Sequence, residues 1–241
     1  MSDVLLVPGT LCSPALWSDL QAPKLRWHER ARVHTPAWQQ LPASDSLSQS
    51  AAALLETAPP HFALLGFSLG AILAFEILRQ APERVSKVAL LSANPKPASP
   101  AQIATWRQLA LHLRQTESSE AELGTVASGF ADALYPQHPQ YATLRQRVIT
   151  MAEDVGVPVF LRQLRWLETR PDSRPSLAML RRRPVLLAVG RHDPLTPLAL
   201  HQEMLELIPH AKLAVLEHCG HYSPLEQAPA LDPWLETWLQ S

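Results

Sequence analysis

The sequence predicts a doubly wound, mainly parallel α/β sheet of about six strands, with a helical lid inserted between two of them. Three observations predict it. Short continuous apolar runs alternate with stretches of helical periodicity, as expected for strands buried on both faces and joined by right-handed crossovers. One of these runs passes straight into a helix through Gly66-Phe67-Ser68-Leu69-Gly70. From Pro95 to about Arg183 the strand pattern stops, and apolar residues recur at helical spacing. The expected division is therefore a core of residues 1–94 and 184–241 and a lid of residues 95–183, in one continuous structural domain.

Val4-Leu5-Leu6-Val7 is the first strand and ends at a loop beginning Pro8-Gly9-Thr10. Ala15 to Leu20 reads as a short helix, Arg32 to Pro36 as a weaker strand, and Trp38 to Ser44 as a loop. Asp45 or Ser46 can cap a helix that runs to about Thr57 and stops at Pro59-Pro60. Phe62 to Leu65 is the next strand, followed by the helix that opens at Ala71. Val85 to Ser92, Pro184 to Gly190 and Lys212 to Leu216 complete the strands. A helix follows Pro197, and Leu225 to Leu239 supplies the last helical material.

Composition narrows the function. A chain of 241 residues, 46% hydrophobic and 18% charged, can bury a sizeable core. A net charge of -1 offers no general surface for nucleic acid or an anionic membrane. The start, Met1-Ser2-Asp3, has no basic region, and the apolar run after it breaks at Pro8-Gly9, so neither a signal peptide nor a spanning segment is expected. Cys12 and Cys219 provide no disulfide framework, which suits a reducing cytoplasm. The oligomeric state stays open.

Gly66-x-Ser68-x-Gly70 lies between a strand and a helix, the context of a nucleophile elbow. Such a turn leaves no room for side chains beside the serine, and it aims the N–H groups of the new helix at the serine's position. A serine hydroxyl is a weak nucleophile and needs a base and a group that orients the base. Two loops after later strands hold candidates: Gly190-Arg191-His192-Asp193 and Glu217-His218-Cys219-Gly220-His221. The chain order is thus serine, aspartate, histidine, each following a strand. His218-Cys219-x-His221 with Asp193 is chemically able to hold zinc, but no second cysteine pair and no H-E-x-x-H accompanies it, so no metal and no cofactor is expected.

Through the elbow, the G-x-x-D-x-x-x-P loop and the G-H-x-x-P loop, the chain resembles the α/β-hydrolase superfamily, in its compact esterase and enol-lactonase-like branch. The resemblance covers essentially the whole chain, with the insert matched only loosely. It implies Ser68 as nucleophile, His221 as general base and then acid, and Asp193 as the group that orients the imidazole. It also implies an oxyanion site made by the backbone N–H groups of Leu69 and Thr10. Relatives usually carry His-Gly where this chain has Pro8-Gly9, a departure that removes a side chain but not the donor at Thr10. By the same resemblance His218 is a surface or loop-packing histidine, and His192, next to Asp193 in sequence, is expected to be exposed. Asn94 stands where some relatives carry their acid, and an amide cannot offset an imidazolium. Asp172 belongs to a turn with its own ion pair, Arg170-Pro171-Asp172-Ser173-Arg174.

The implied activity is hydrolysis of a small-molecule carboxylic ester. Lactone, thioester or carbon–carbon bond hydrolysis on the same triad, a cofactorless perhydrolase, and a silent binding protein of the same fold stay open. Leu11, Trp106, Met151, Phe160 and Trp166 are the candidates for an apolar substrate pocket, with Leu167 beside them. Arg162 and Arg165 flank that stripe. Either one turned inward would favour a carboxylate-bearing substrate such as an enol-lactone.

Overall fold

The computed structural model describes residues 1–116 and 119–241. Its elements in chain order are β1 (Ser2–Val7), β2 (Ala31–His34), α1 (Leu47–Thr57), β3 (Phe62–Phe67), α2 (Leu69–Gln80) and β4 (Val85–Leu91). Three helices follow, α3 (Pro100–Gln115), α4 (Ser119–Ala131) and α5 (Tyr141–Thr169). The chain then returns to β5 (Val185–Gly190), α6 (Leu198–Leu207), β6 (Lys212–Leu216), α7 (Ser223–Glu226) and α8 (Ala228–Gln240). All five strand pairings are parallel, in the order β2-β1-β3-β4-β5-β6. The order reverses direction between β1 and β3, which makes a crevice at their carboxyl ends, the place where open α/β sheets bind ligands.

Period-two alternation divides the strands between two cores. Leu5, Val7, Leu64, Leu90 and Leu187 face one side, and Val4, Leu6, Leu65, Leu91 and Leu186 face the other. Residues from the long insert, Leu113, Phe160 and Leu164 among them, share the first core with the sheet. The insert is therefore packed onto the carboxyl-end side of the fold by the same apolar burial that holds the sheet's own helices. Within α5 the helix breaks at Gly156, where φ is 75° and ψ 162°, just before Val157-Pro158. Among the described residues no helix is long and apolar enough to cross a membrane.

Two short segments differ from the sequence expectation. Ala15 to Leu20 is not an α-helix: only a 3-10 turn forms, at Pro14–Trp17, with i→i+3 bonds such as Leu16 N–H to Ser13. Trp17 is buried at the end of that turn, and the Gln21 N–H bonds the Trp17 carbonyl at 3.0 Å without the chain continuing as an α-helix. The expected loop from Trp38 holds a 3-10 turn at Trp38–Gln40, where the indole N–H of Trp38 donates to the Gly9 carbonyl at 3.1 Å. Of the two candidate caps for α1, Ser46 is the one used, accepting from the Gln49 N–H.

The β3–α2 junction depends on its glycines. A Cβ on Gly70 would lie 2.0 Å from the Val7 carbonyl oxygen, and one on Gly66 would lie 2.5 Å from the Gly70 oxygen. Both obstacles are backbone atoms, which cannot rotate away. Gly70→Ala is thus expected to lower stability by about 3 kcal/mol, the upper range for overpacking a filled core. Urea unfolding checks it, and an unchanged midpoint would show that α2 can move off β1.

Candidate active site

Ser68 stands between β3 and α2 with φ 53° and ψ −113°. A non-glycine residue there is strained by roughly 1–3 kcal/mol. The Ser68 N–H is held by the Leu91 carbonyl at 2.9 Å, and its own carbonyl starts the helix by accepting from Ala71. The side chain is left at the carboxyl end of the sheet. His221 Nε2 is 3.1 Å from Ser68 Oγ. His221 Nδ1 is 2.8 Å from Asp193 Oδ2 and 3.0 Å from Oδ1. A carboxylate only accepts, so Nδ1 carries the proton and Nε2 is left to accept from the serine hydroxyl.

Asp193 is buried and satisfied on every side. Its Oδ1 accepts from the N–H groups of Leu195 and Thr196, both at 2.9 Å, and its Oδ2 from the Thr196 hydroxyl at 2.7 Å. Burial alone would push this carboxyl up. The charge and hydrogen bond of His221, with the two Thr196 bonds, more than offset it and hold Asp193 well below the usual carboxylate range. The Asp193 loop meets the His221 loop through Gly190, where a Cβ would fall 2.0 Å from the Gly220 oxygen.

The imidazole is fixed from outside its own strand as well. The His221 N–H donates to the Ala133 carbonyl at 2.8 Å, and its carbonyl accepts from the Ser92 hydroxyl at 3.0 Å. The buried Glu226 carboxylate accepts from the N–H groups of Gly220, Tyr222 and Tyr135 at 3.0, 2.9 and 2.7 Å. Burial raises the Glu226 carboxyl, and those three donors only partly oppose it. Thr196, Ser92 and Glu226 went unnoticed in the sequence. Only Thr196 carries a local signal, the Asp-x-x-Thr spacing of a side chain that bonds its own turn.

A cavity of about 390 Å³ opens over Ser68 and His221. Thr10, Trp106, Leu167 and Arg170 line it, with Asn94 on the β4 side. Leu69 is buried directly after Ser68, and among the described residues neither its N–H nor that of Thr10 has a protein acceptor. Of the pocket candidates, the structure brings Trp106 to the cavity wall and, beside it, Leu167. The other four lie elsewhere. Leu11 is buried with its N–H on Gln163 Oε1 at 3.0 Å, and Met151 packs into the second core. Phe160 is buried edge-on to Phe130, and Trp166 tilts against Trp38 and donates its indole N–H to Ser44. Helical spacing marks their apolar face, but core packing occupies it.

Nor do the flanking arginines turn inward. Arg162 bonds the Pro42 carbonyl and Arg165 pairs with Glu168, both near solvent. Arg170 is the arginine that reaches the cavity. Asp172 pairs with Arg174, as its turn suggested. His192 and His218 are exposed and lie against Tyr135. Burial raises the Cys12 thiol to about 12 and the Cys219 thiol further, so neither supplies a thiolate. A larger groove, about 1030 Å³ and lined by Arg181, Lys212 and Trp234, lies at the amino ends of β5 and β6, away from this chemistry.

The chain matches the family model described as alpha/beta hydrolase fold over residues 4–228. It is 30% identical over 191 residues to a pimeloyl-[acyl-carrier protein] methyl ester esterase of Nitrosomonas europaea, covering 74% of this chain and 71% of that protein. Its fold is similar to that of a thermophilic esterase from Thermogutta terrifontis, with TM-score 0.83 and 20% identity, over 100% of this chain and 90% of the other. An enol-lactonase from Burkholderia xenovorans superposes with TM-score 0.81 and 18% identity, over 100% and 92%.

His201 sits fully buried under this site, and its Nε2 accepts the Ala93 N–H at 3.0 Å. Burial lowers its pKa from 6.5 to about 4, against smaller upward pulls from the Pro197 carbonyl and Asp193. The folded value is below the unfolded one, so its contribution is present above pH 6.5 and is lost as pH falls towards about 4. The expected loss is roughly 2–3 kcal/mol across that window. In His201→Gln, whose amide oxygen can still accept from Ala93, the acid dependence of urea unfolding should flatten by that amount. Parallel curves for the two proteins would show that His201 does not titrate with unfolding.

Proposed function

The chain belongs to the α/β-hydrolase family, and from that premise we propose that it hydrolyses a carboxylic ester of a small molecule through an acyl-enzyme on Ser68. The observation that carries this reading is the continuous hydrogen-bond path from Ser68 Oγ through His221 to Asp193.

Ser68 Oγ attacks the ester carbonyl carbon as its proton passes to His221 Nε2. Asp193 keeps the other ring nitrogen protonated and stabilises the imidazolium that results. The developing oxyanion takes hydrogen bonds from the N–H groups of Leu69 and Thr10, which stand ready without a protein acceptor. Collapse breaks the carbonyl carbon–alkoxy bond, and His221 returns its proton to the departing alcohol. Water then gives up a proton to Nε2 and attacks the acyl-enzyme. Its oxygen stays with the acid, and Ser68 leaves with the proton. A lactone follows the same steps with its alcohol tethered to the acyl group.

The strained Ser68 backbone serves this sequence of events. It holds Oγ at the tip of the turn, beside the first N–H of α2, so little reorganisation is needed when charge develops. The 390 Å³ cavity suits a small substrate, since pockets for drug-sized ligands extend to about 1,000 Å³.

Wild type should hydrolyse p-nitrophenyl acetate and butyrate and should be labelled at Ser68 by a fluorophosphonate. Ser68→Ala should lose labelling and lower kcat by about 10⁴-fold or more. Asp193→Asn should lower kcat by about 10³- to 10⁴-fold, because the amide can hold the wrong tautomer. Undiminished ester turnover by Ser68→Ala would sink the acyl-enzyme reading.

A further inference from the structure

One charged side chain in the cavity wall has no part in the triad. Arg170 ends α5 because Pro171 follows it, which drives its backbone to φ −58° and ψ 133° and turns the residue out of the helix. The residue is 6% exposed. Its guanidinium lies 5.5 Å from the centre of the Trp106 ring, and its Nε donates to the Lys96 carbonyl at 2.9 Å. Its η nitrogens have no protein partner among the described residues.

The acids nearest in sequence are committed elsewhere. Glu168 pairs with Arg107 and Arg165, and Asp172 pairs with Arg174. No carboxylate lies within ion-pair distance of Arg170 among the described residues, and no Asp or Glu lines the cavity. The neighbouring amides add donors. Asn94 Oδ1 accepts from the Lys96 N–H at 2.9 Å and Gln102 Oε1 from the Ser99 N–H at 3.0 Å, which turns each amide oxygen to the backbone and leaves its NH₂ free to donate. Burial lowers the guanidinium pKa to about 10, which leaves it charged at neutral pH. A buried cation without an anion is costly, and stacking on Trp106 offsets only part of that cost. A carboxylate matches the open edge of a guanidinium through two parallel hydrogen bonds.

Resting on the hydrolase reading above, we infer that Arg170 is a specificity-determining residue and that the substrate is an ester or lactone bearing a free carboxylate, bound to Arg170 while Ser68 attacks the ester carbonyl. The anion sits on either the acyl or the alcohol part, and matched substrate pairs separate the two.

The experiment compares kcat/KM for monomethyl glutarate against dimethyl glutarate, and for 4-acetoxybutanoate against butyl acetate. One pair should favour the anion by at least about tenfold in wild type. Arg170→Gln should reduce that ratio about ten- to hundredfold, the span of a hydrogen bond to a charged group, and Arg170→Lys should restore part of it. Loss of a merely structural arginine would slow both members of a pair and leave the ratio alone. Glutarate binding to Ser68→Ala, followed by calorimetry, needs no turnover and should vanish in the Ser68→Ala, Arg170→Gln double variant.

If no ester of either series and no p-nitrophenyl ester is cleaved, the hydrolase reading fails, and calorimetry still decides the role of Arg170. If neutral esters are cleaved with no preference for the anion in either pair, the hydrolase reading stands and this inference is overturned. A ratio unchanged in Arg170→Gln, or no glutarate binding, also overturns it. Should Arg170→Gln not fold, the wild-type ratios and glutarate binding decide alone.

Discussion

Ser68 can keep φ 53° and ψ −113° only because the elements on either side of it cannot yield. β3 is buried on both faces along its whole length, and α2 is buried from Leu69 through Leu78. A turn that costs roughly 1–3 kcal/mol is held by two elements whose burial is worth far more. The rest of the site is arranged around this turn. The parallel order places the loop after β1 beside it, and the loops after β5 and β6 supply Asp193 and His221. A small-residue contact at Gly70 lets α2 approach the end of β1, so the crevice at the reversal of strand order is also where the half-buried serine meets the cavity.

The histidine is positioned differently. Its loop has little regular structure, and φ is 52° at His218 within it. Hydrogen bonds replace regular structure there. The buried Glu226 carboxylate collects three backbone N–H groups, two from the histidine loop and one from Tyr135 in the insert. The His221 N–H is held by Ala133, also in the insert. The segment that covers the cavity therefore also holds the loop that carries the imidazole. A shift of the segment between α4 and α5 would move His221 relative to Ser68, and apolar packing of the insert into the sheet's core resists that shift.

Electrostatics divides the site into two zones. On one side Asp193 is buried, multiply hydrogen-bonded and directed at the imidazole, beside a His201 that burial keeps neutral. On the other side Arg170 is buried against Trp106 without a protein anion. Low local polarity strengthens both. In the proposed reaction the first zone serves a proton that moves between oxygen and nitrogen. The second faces the space a ligand would fill, and its uncompensated charge is what gives the cavity a preference beyond size and apolarity.

Much of this was legible in the sequence, for identifiable reasons. Strands buried on both faces are written as continuous apolar runs, which made β1, β3, β4 and β5 plain, whereas the edge strands β2 and β6 are partly polar and half-exposed and gave a weaker signal. The glycines at 66 and 70 reflect backbone approaches that tolerate no side chain, and Asp193 and His221 follow strands at which a parallel sheet must place its ligands. The insert was not legible in the same way. Its apolar spacing marks a buried face on each helix, but not what covers that face. Met151, Phe160 and Trp166 are buried by core neighbours, whereas Trp106 and Leu167 border empty space. Likewise Arg162, Arg165 and Arg170 are equivalent as residue types. Pro171 turns Arg170 out of its helix, Arg107 and Arg165 take up Glu168, Arg174 takes up Asp172, and Arg162 bonds a backbone carbonyl. The sequence by itself determined the order and chemistry of the elements, because period and backbone sterics act locally. Tertiary structure alone decided which side chains face the cavity, because that depends on contacts between segments distant in the chain.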